Sequence, residues 1–527
     1  MTIERWEPTV EPTAAEKRVL ARVVTTRKLF AFLRLHRHEI FDNAFQDQLA
    51  SMYRDTGAGA PAQPPALLCM AVLLQGYAGV SDHEAVELTI DSRRWQLVLG
   101  CLGSTEPAFS QGGLQQFRER LIANDLDTRL LERTVEVAHR TKLFDWRKLP
   151  KSLRVGIDSR PLVGAGKVED TVNLLGHAAR KIAECAADMT GLSFEEVCRR
   201  SHATVLLAPS VKAGLDVDWS DPGQKAEALE TLVIQVRVLA EWVARTMGGD
   251  GLEGPITKYL AALQQVQDQN IDEENGRVTM HEGVAPDRRV SIEDEDMRHG
   301  RKSKSKRFNG YKEHVAADLD RGLILACVVT PANVPEEEAA PALKADIEAQ
   351  GFTIAELSID RAYLNSSIID DIENAGGEVL CKPWPSQNSH GLFTKRDFKI
   401  DMRAMTITCP AGEIEEFVPG DVVEFDPDAC GPCSFRAQCT HSSSGRGRTV
   451  RIADDERRQQ RLRKLQSTKK GRERLRGRTA IEHRQAHLAA RHGPRARYCG
   501  TRKNVFDLRR ASAIQNLETA QRATVAA

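Results

Sequence analysis

The sequence predicts an α/β protein. A mixed sheet has helices packed against it, an all-α region precedes it, and a small Cys-rich β insertion interrupts it. Three observations predict this. Residues 1–150 show helical periodicity and helix-start signals. Residues 151–385 run strand, long insertion, hairpin, helix, strand, helix, strand. Residues 386–454 break that pattern with Gly, Pro, Ser and clustered Cys.

A chain of 527 residues is too long for one core, so two to four domains are expected. The helical region 1–150 is read as one of them. "ALLCMAVLLQGY" (66–77) is an apolar helix after a Pro-rich opening. Ser81, followed three residues later by Glu84, is a capping box that starts the next. "SQGGLQQFRERLI" (110–122) predicts another helix, with Arg118 and Arg120 on its polar side. Such a bundle is either a packing domain or a DNA-binding one.

"SLRVGIDSRPLVG" (152–164) predicts a short strand ending on Asp158. A polar helical insertion follows, about 167–290. Two strands, roughly 308–317 and 323–330, flank "LDRG" as a hairpin. Residues 334–351 predict a helix with acids in its first turn, kinked at Pro341. "ELSIDRAYLNS" (356–366) predicts a strand reaching Asp360. Helix 365–375 and strand 377–382 complete the first part of the core, 151–385. Residues 455–520 return to basic helices and form its last part, with 479–491 the best defined.

Eleven cysteines, several inside apolar runs, fit a reducing compartment better than disulfides. The N-terminus has no apolar signal region, and no apolar run is long enough to span a bilayer. The expected location is cytoplasmic, with no membrane partner. Net charge is zero, but the charges are segregated. Residues 316–380 hold 13 Asp/Glu against 3 Lys/Arg, and 455–512 hold 19 Lys/Arg against 5 Asp/Glu. This asymmetry points to a polyanion partner, or to solvated helix faces.

"VGIDSRP" and "LSIDRAY" each climb through apolar residues to an aspartate. Sites form at the carboxyl ends of strands in open α/β sheets. Asp158 and Asp360 are therefore either turn caps or ligands of one divalent cation. Glu482 is the candidate third acid. It is the only carboxylate between Arg474 and Tyr498, with Arg478 four residues earlier. The alternative for that pair is a surface ion pair one helical turn apart.

Together with "RHGRKSKSKRFNGYKEHVAADLDRGLILACVVTPANVPE" and "RGRTAIEHRQAH", these motifs resemble bacterial insertion-sequence transposases of the RNase H-like DDE type. The resemblance covers nearly the whole chain and is most specific in 298–335 and in the turn after Asp360. It implies an RNase H-like core in which Asp158, Asp360 and Glu482 are catalytic and bind two Mg²⁺ (or Mn²⁺) ions. It implies a transposase that cleaves at insertion-sequence ends and joins the 3′-OH ends to target DNA by two-metal phosphoryl transfer. The partners implied are double-stranded DNA, as terminal inverted repeats and target, and a second copy of the chain on that DNA, at the nucleoid. The family signature places a Tyr and a Lys around the Arg and Glu. This chain has Leu475 and Ala489 there, and Arg491 stands in for the Lys. Metal-dependent DNA endonuclease without strand transfer, and an inactive DNA-binding derivative, are the alternatives.

Cys409, Cys430, Cys433 and Cys439 read C-x20-C-x2-C-x5-C, a candidate site for one structural Zn²⁺ with His441 as a substitute ligand. Related transposases carry a similar insertion. Reduced thiols in a small β module are the alternative. The candidate DNA contacts are Arg301, Lys302, Lys304 and Lys312 around the hairpin, Arg361 and Tyr363 beyond Asp360, and Arg478 and Arg491 around Glu482. Phosphate contacts of this kind position DNA without reading its sequence.

Overall fold

The structure is a computed structural model that describes residues 3–53, 62–140, 152–248, 252–274, 277–386, 391–443 and 445–526. The chain forms two compact units. Unit 1 is Met1–Ser152, Asp158–Thr353 and Ile481–Ala527; unit 2 is Leu153–Ile157 and Ile354–Ala480. The expected boundary near residue 150 lies outside the described residues.

Unit 1 opens on helices α1 (Ala14–Thr26), α2 (Lys28–Ile40), α3 (Asn43–Ala50), α4 (Pro65–Ala78), α5 (Asp82–Asp91), α6 (Arg93–Leu99), α7 (Gln111–Ala123) and α8 (Leu126–Arg140). The capping box is present at α5: the Ser81 hydroxyl accepts from the Glu84 amide, and the Glu84 carboxylate accepts from the Ser81 amide at 2.8 Å. Helix α4 is apolar nearly all round and is buried accordingly. Arg118 does not face water as expected. Its guanidinium pairs with Asp82 and lies 3.2 Å from Gln75 Oε1, and that pairing holds the Asp82 carboxyl below its usual range.

Strand β1 (Ser152–Val163) is common to both units, its first half in unit 2 and Asp158 onward in unit 1. It runs through Asp158 instead of ending there. The continuation has backbone partners: Val163 N donates to Pro494 O at 2.9 Å, Ala496 N to Val163 O at 2.7 Å, and Gly164 N to Asn309 O at 2.9 Å. Gly310 permits this approach. It sits at φ +151°, and a Cβ there would stand 2.1 Å from Leu162 O.

The insertion is helical as expected: α9 (Thr171–Thr190), α10 (Phe194–Arg200), α11 (Val211–Leu215), α12 (Pro222–Met247) and α13 (Pro255–Asn270). It closes on a hairpin of β2 (Ile271–Glu274) and β3 (Arg277–Met280). Leu174, Ile182, Leu232, Val236 and Val266 give it a dry core of its own. Next come β4 (Arg298–Arg301), β5 (Arg307–Asp318) and β6 (Ile324–Pro331), antiparallel neighbours with Val315 opposite Cys327. The expected hairpin is β5–β6. Pro341 does not kink a helix. It sits in the first turn of α14 (Ala340–Ala349), where a missing N–H costs nothing.

Unit 2 places β7 (Thr353–Ser358) between the first half of β1 and the parallel β8 (Glu378–Leu380), with α15 (Ile368–Asn374) as the crossover. The Cys-rich segment folds as β9 (Lys399–Asp401), β10 (Thr406–Thr408), β11 (Ile414–Glu416), β12 (Val422–Glu424) and β13 (Thr449–Arg451), with short helices α16 (Pro427–Cys430) and α17 (Arg436–Cys439). Phe398, Ile407, Phe425 and Ile452 form its core. Basic helices α18 (Glu456–Ser467) and α19 (Lys469–Arg476) end the unit.

Helix α20 (Thr479–His492) enters unit 1 at Ile481, and α21 (Thr501–Ala526) completes it. Helix α21 ties the N-terminal helices to the sheet. The buried Asn516 amide donates to Thr134 of α8 at 3.1 Å. It also exchanges two hydrogen bonds with the Ile324 backbone of β6, both 2.8 Å. The helical N-terminal region thus shares a compact unit with core elements. These strands and helices form a mixed sheet flanked by helices, consistent with an α/β RNase H-like fold with a helical N-terminal region.

Candidate functional site

Asp360 follows β7 by two residues and is partly exposed. Its Oδ1 caps the turn Arg361–Tyr363, accepting from the Ala362 amide at 2.8 Å. Capping uses one carboxylate oxygen and leaves the chemistry of the other open. Arg361 donates from Nε to Pro383 O at 2.8 Å. Burial pushes the Cys381 thiol up to about 12; the Asp360 charge adds to this, and Arg361 and Arg478 oppose it. Unit 2 therefore brings Asp360, Arg361 and Arg478 into one electrostatic neighbourhood.

Asp158 lies within β1, partly exposed, and Glu482 is exposed in the first turn of α20. Helix α20 buries Ile481, Gln485 and Leu488, so its spacing faces Glu482 away from that stripe. Among the described residues, no group of three or more His, Cys, Asp or Glu side chains is gathered to hold a metal ion.

The expected DNA contacts divide. Arg301, Lys302 and Lys304 stand exposed at the β4–β5 connection. Lys312 is partly buried and donates from Nζ to Val334 O at 2.7 Å; burial pulls its pKa down. Two of the expected contacts are engaged inside the protein. Tyr363 is fully buried, so it has no face to offer DNA. Arg491 lies 2.9 Å from Glu518 of α21 and its guanidinium sits over the Tyr77 ring, so its charge is used inside unit 1.

The charge segregation also has an internal use. Arg474 of α19 grips Glu378 with both terminal nitrogens, at 2.9 and 2.7 Å, and reaches Glu356 of β7 at 2.6 Å. Arg458 and Arg461 of α18 pair with Glu373 of α15. Half-exposed pairs of this kind contribute up to about 1 kcal/mol each, so they orient the basic helices more than they hold the unit together. Arg457, Lys464, Lys469, Lys470 and Arg476 stay exposed.

One cluster was not anticipated from sequence. Arg160 of β1, Glu313 of β5, His492 of α20, and Asp507 and Arg510 of α21 form a buried ladder of alternating charge in unit 1. His492 lies 2.9 Å from Glu313 Oε1 and 2.6 Å from Asp507 Oδ2. Those two carboxylates push the imidazole up to about 9 against its burial. The ladder's five members are scattered along the sequence, and no local pattern joins them.

Cys409, Cys430, Cys433 and Cys439 line one small cavity of about 30 Å³ beside Phe425 and Phe435. Burial raises the Cys439 thiol, the other three thiols add to that, and Arg448 opposes them. Arg448 donates to Cys439 O at 2.9 Å and to Phe393 O at 3.0 Å, so it serves this module. His441 is exposed.

Residues 277–517 match the family of the transposase DDE domain, and residues 25–120 match a transposase domain (DUF772). No curated protein and no solved structure matches the chain. The chain belongs to the insertion-sequence transposases of the DDE type. Among the described residues no single helix is long and apolar enough to cross a membrane.

Proposed function

We propose that this transposase cleaves DNA at the ends of an insertion sequence and joins the freed 3′-OH ends to target DNA, with Asp158, Asp360 and Glu482 as its acids. One observation carries the reading. The DDE-domain match contains an aspartate just past the end of β7 and a glutamate in the first turn of α20. Asp158 lies before the matched segment, and its assignment rests on the likeness of "VGIDSRP" to "LSIDRAY".

Three carboxylates, all at least partly exposed, are hard oxygen donors suited to Mg²⁺ or Mn²⁺. Divalent cations bound there would supply charge stabilisation at the scissile phosphate. In cleavage, water attacks phosphorus and the 3′ oxygen leaves as the hydroxyl. In joining, that hydroxyl attacks a target phosphodiester and displaces its 3′ oxygen. Cleavage is a hydrolysis, and joining forms one phosphodiester for the one it breaks, so neither step needs an energy-supplying cofactor. Arg301, Lys302 and Lys304, with the exposed cations of α18 and α19, hold phosphates. Two ends join together, which calls for two copies of the chain on the DNA.

The test is to incubate the chain with terminal-repeat DNA, a target duplex and Mg²⁺ or Mn²⁺. Joined product is expected. Cleavage alone would leave a metal-dependent endonuclease, and binding alone an inactive derivative.

The four thiols of the insertion are proposed to hold one structural Zn²⁺. Thiolates are the soft donors zinc prefers, and the four cysteines line one small cavity. Protein purified without chelator is expected to carry about one zinc per chain by elemental analysis. The paired change Cys430→Ser with Cys433→Ser is expected to lose it. A metal-free wild-type protein would mean that the cysteines are simply reduced thiols.

A further inference from the structure

We propose that Arg160 is a positioning residue that sets helix α20 against β1, acting through the buried charge ladder. The inference rests on the reading of Asp158 and Glu482 as metal carboxylates. Arg160 stands two residues beyond Asp158 on the same strand, so both side chains leave the same face of β1, about 6.6 Å apart along it. Its side chain is 13% exposed.

The guanidinium does two things at once. Its Nε pairs with the buried Glu313 of β5, and both terminal nitrogens lie 3.3 Å from Gly493 O, just past the end of α20. Glu313 in turn faces His492, the last residue of α20, and His492 faces Asp507 of α21, which is paired with Arg510. The end of α20 is thus held from three sides by β1, β5 and α21.

Helix α20 is a stiff rod between this anchor and Glu482, about 15 Å along its axis. A tilt of about 10° at the anchored end would move the Glu482 backbone by about 2.6 Å. Metal carboxylates tolerate displacements of only about 0.5 Å. Stability alone gives little reason for five charges here, because apolar residues of similar volume serve a buried site as well or better. A fixed geometry between β1 and α20 does give a reason.

The test uses the full chain, with Arg160→Met and Arg160→Lys. Folding is followed by circular dichroism and melting, Mn²⁺ affinity by electron paramagnetic resonance of the free ion, and joining per folded molecule. Arg160→Met is expected to bind terminal-repeat DNA as the wild type does. Its Mn²⁺ affinity is expected to weaken about tenfold, with a matching loss of joining that excess Mn²⁺ partly restores. Arg160→Lys keeps the charge toward Glu313 but loses the fork toward Gly493, and is expected to fall between. If Arg160→Met does not fold, Glu313→Gln is read in the same way. Unchanged Mn²⁺ affinity and unchanged joining per folded molecule would overturn the inference. Asp158→Asn and Glu482→Gln separate the two ideas. If they lose Mn²⁺ while Arg160→Met does not, the positioning role alone fails. If they bind Mn²⁺ normally, the acid assignment fails and this inference with it.

Discussion

Asp360→Asn is expected to keep the fold and lose DNA joining by about a thousandfold or more, the scale of losing a group at the reaction's electrostatic centre. Asparagine is as good a cap as aspartate. The Oδ1 bond to the Ala362 amide therefore survives the change, and the turn Arg361–Tyr363 with it. What is lost is the negative charge. Asp360→Ala removes cap and charge together. It is expected to be as inactive as the asparagine variant and about 1 kcal/mol less stable. The pair separates the two roles open to a carboxylate at a strand end. Melting curves and a joining assay on both variants decide between them. Asparagine activity within a few-fold of wild type would reduce Asp360 to a cap and remove it from the acid set.

Local signals were legible where local physics decides the outcome. The β5–β6 hairpin and the α5 capping box form from neighbours in sequence, and both stand as expected. Asp158 is not a strand end because β1 runs on against partners distant in sequence, β5 beside it and Asn309, Pro494 and Ala496 at its end. The polar "RHGR" of β4 carries no strand pattern; it becomes a strand only by pairing with residues 307–310. Pro341 looked like a kink because the preceding 3₁₀ turn, Glu336–Ala339, reads as helix.

The site was legible in its residue types more than in its surroundings. The turn at Asp360 could be read from "LSIDRAY". The burial of Tyr363 could not, because a tyrosine two residues beyond a cap looks the same in sequence whether it faces in or out. Segregated charge was a sound observation with two causes. Arg458, Arg461 and Arg474 meet the acids of α15, β7 and β8, while other cations of the same helices stay exposed. The ladder from Arg160 to Arg510 escaped because its members are scattered along the chain and only the fold makes them neighbours.

That ladder makes the stability of unit 1 depend on pH. His492 is faced by Glu313 from β5, Asp507 from α21 and the Arg160 guanidinium from β1, while Arg510 and Arg497 act on Asp507. The folded value of about 9 stands above the ordinary 6.5. A raised histidine stabilises fully below its unfolded value, and that contribution is lost as pH rises through the folded one. Below about pH 6.5 the contribution should be complete, on the order of 3 kcal/mol at most, and it should fade between about pH 6.5 and 9. The comparison is with His492→Gln, which has no such proton to lose. At pH 6 the variant is expected to melt well below the wild type, and by pH 9.5 the gap should have largely closed. Above pH 9 other groups titrate in both proteins, so the difference between them is the quantity to follow. A gap that stays constant from pH 6 to 9.5 would mean that His492 is neutral in the fold and that the ladder is broken at its centre.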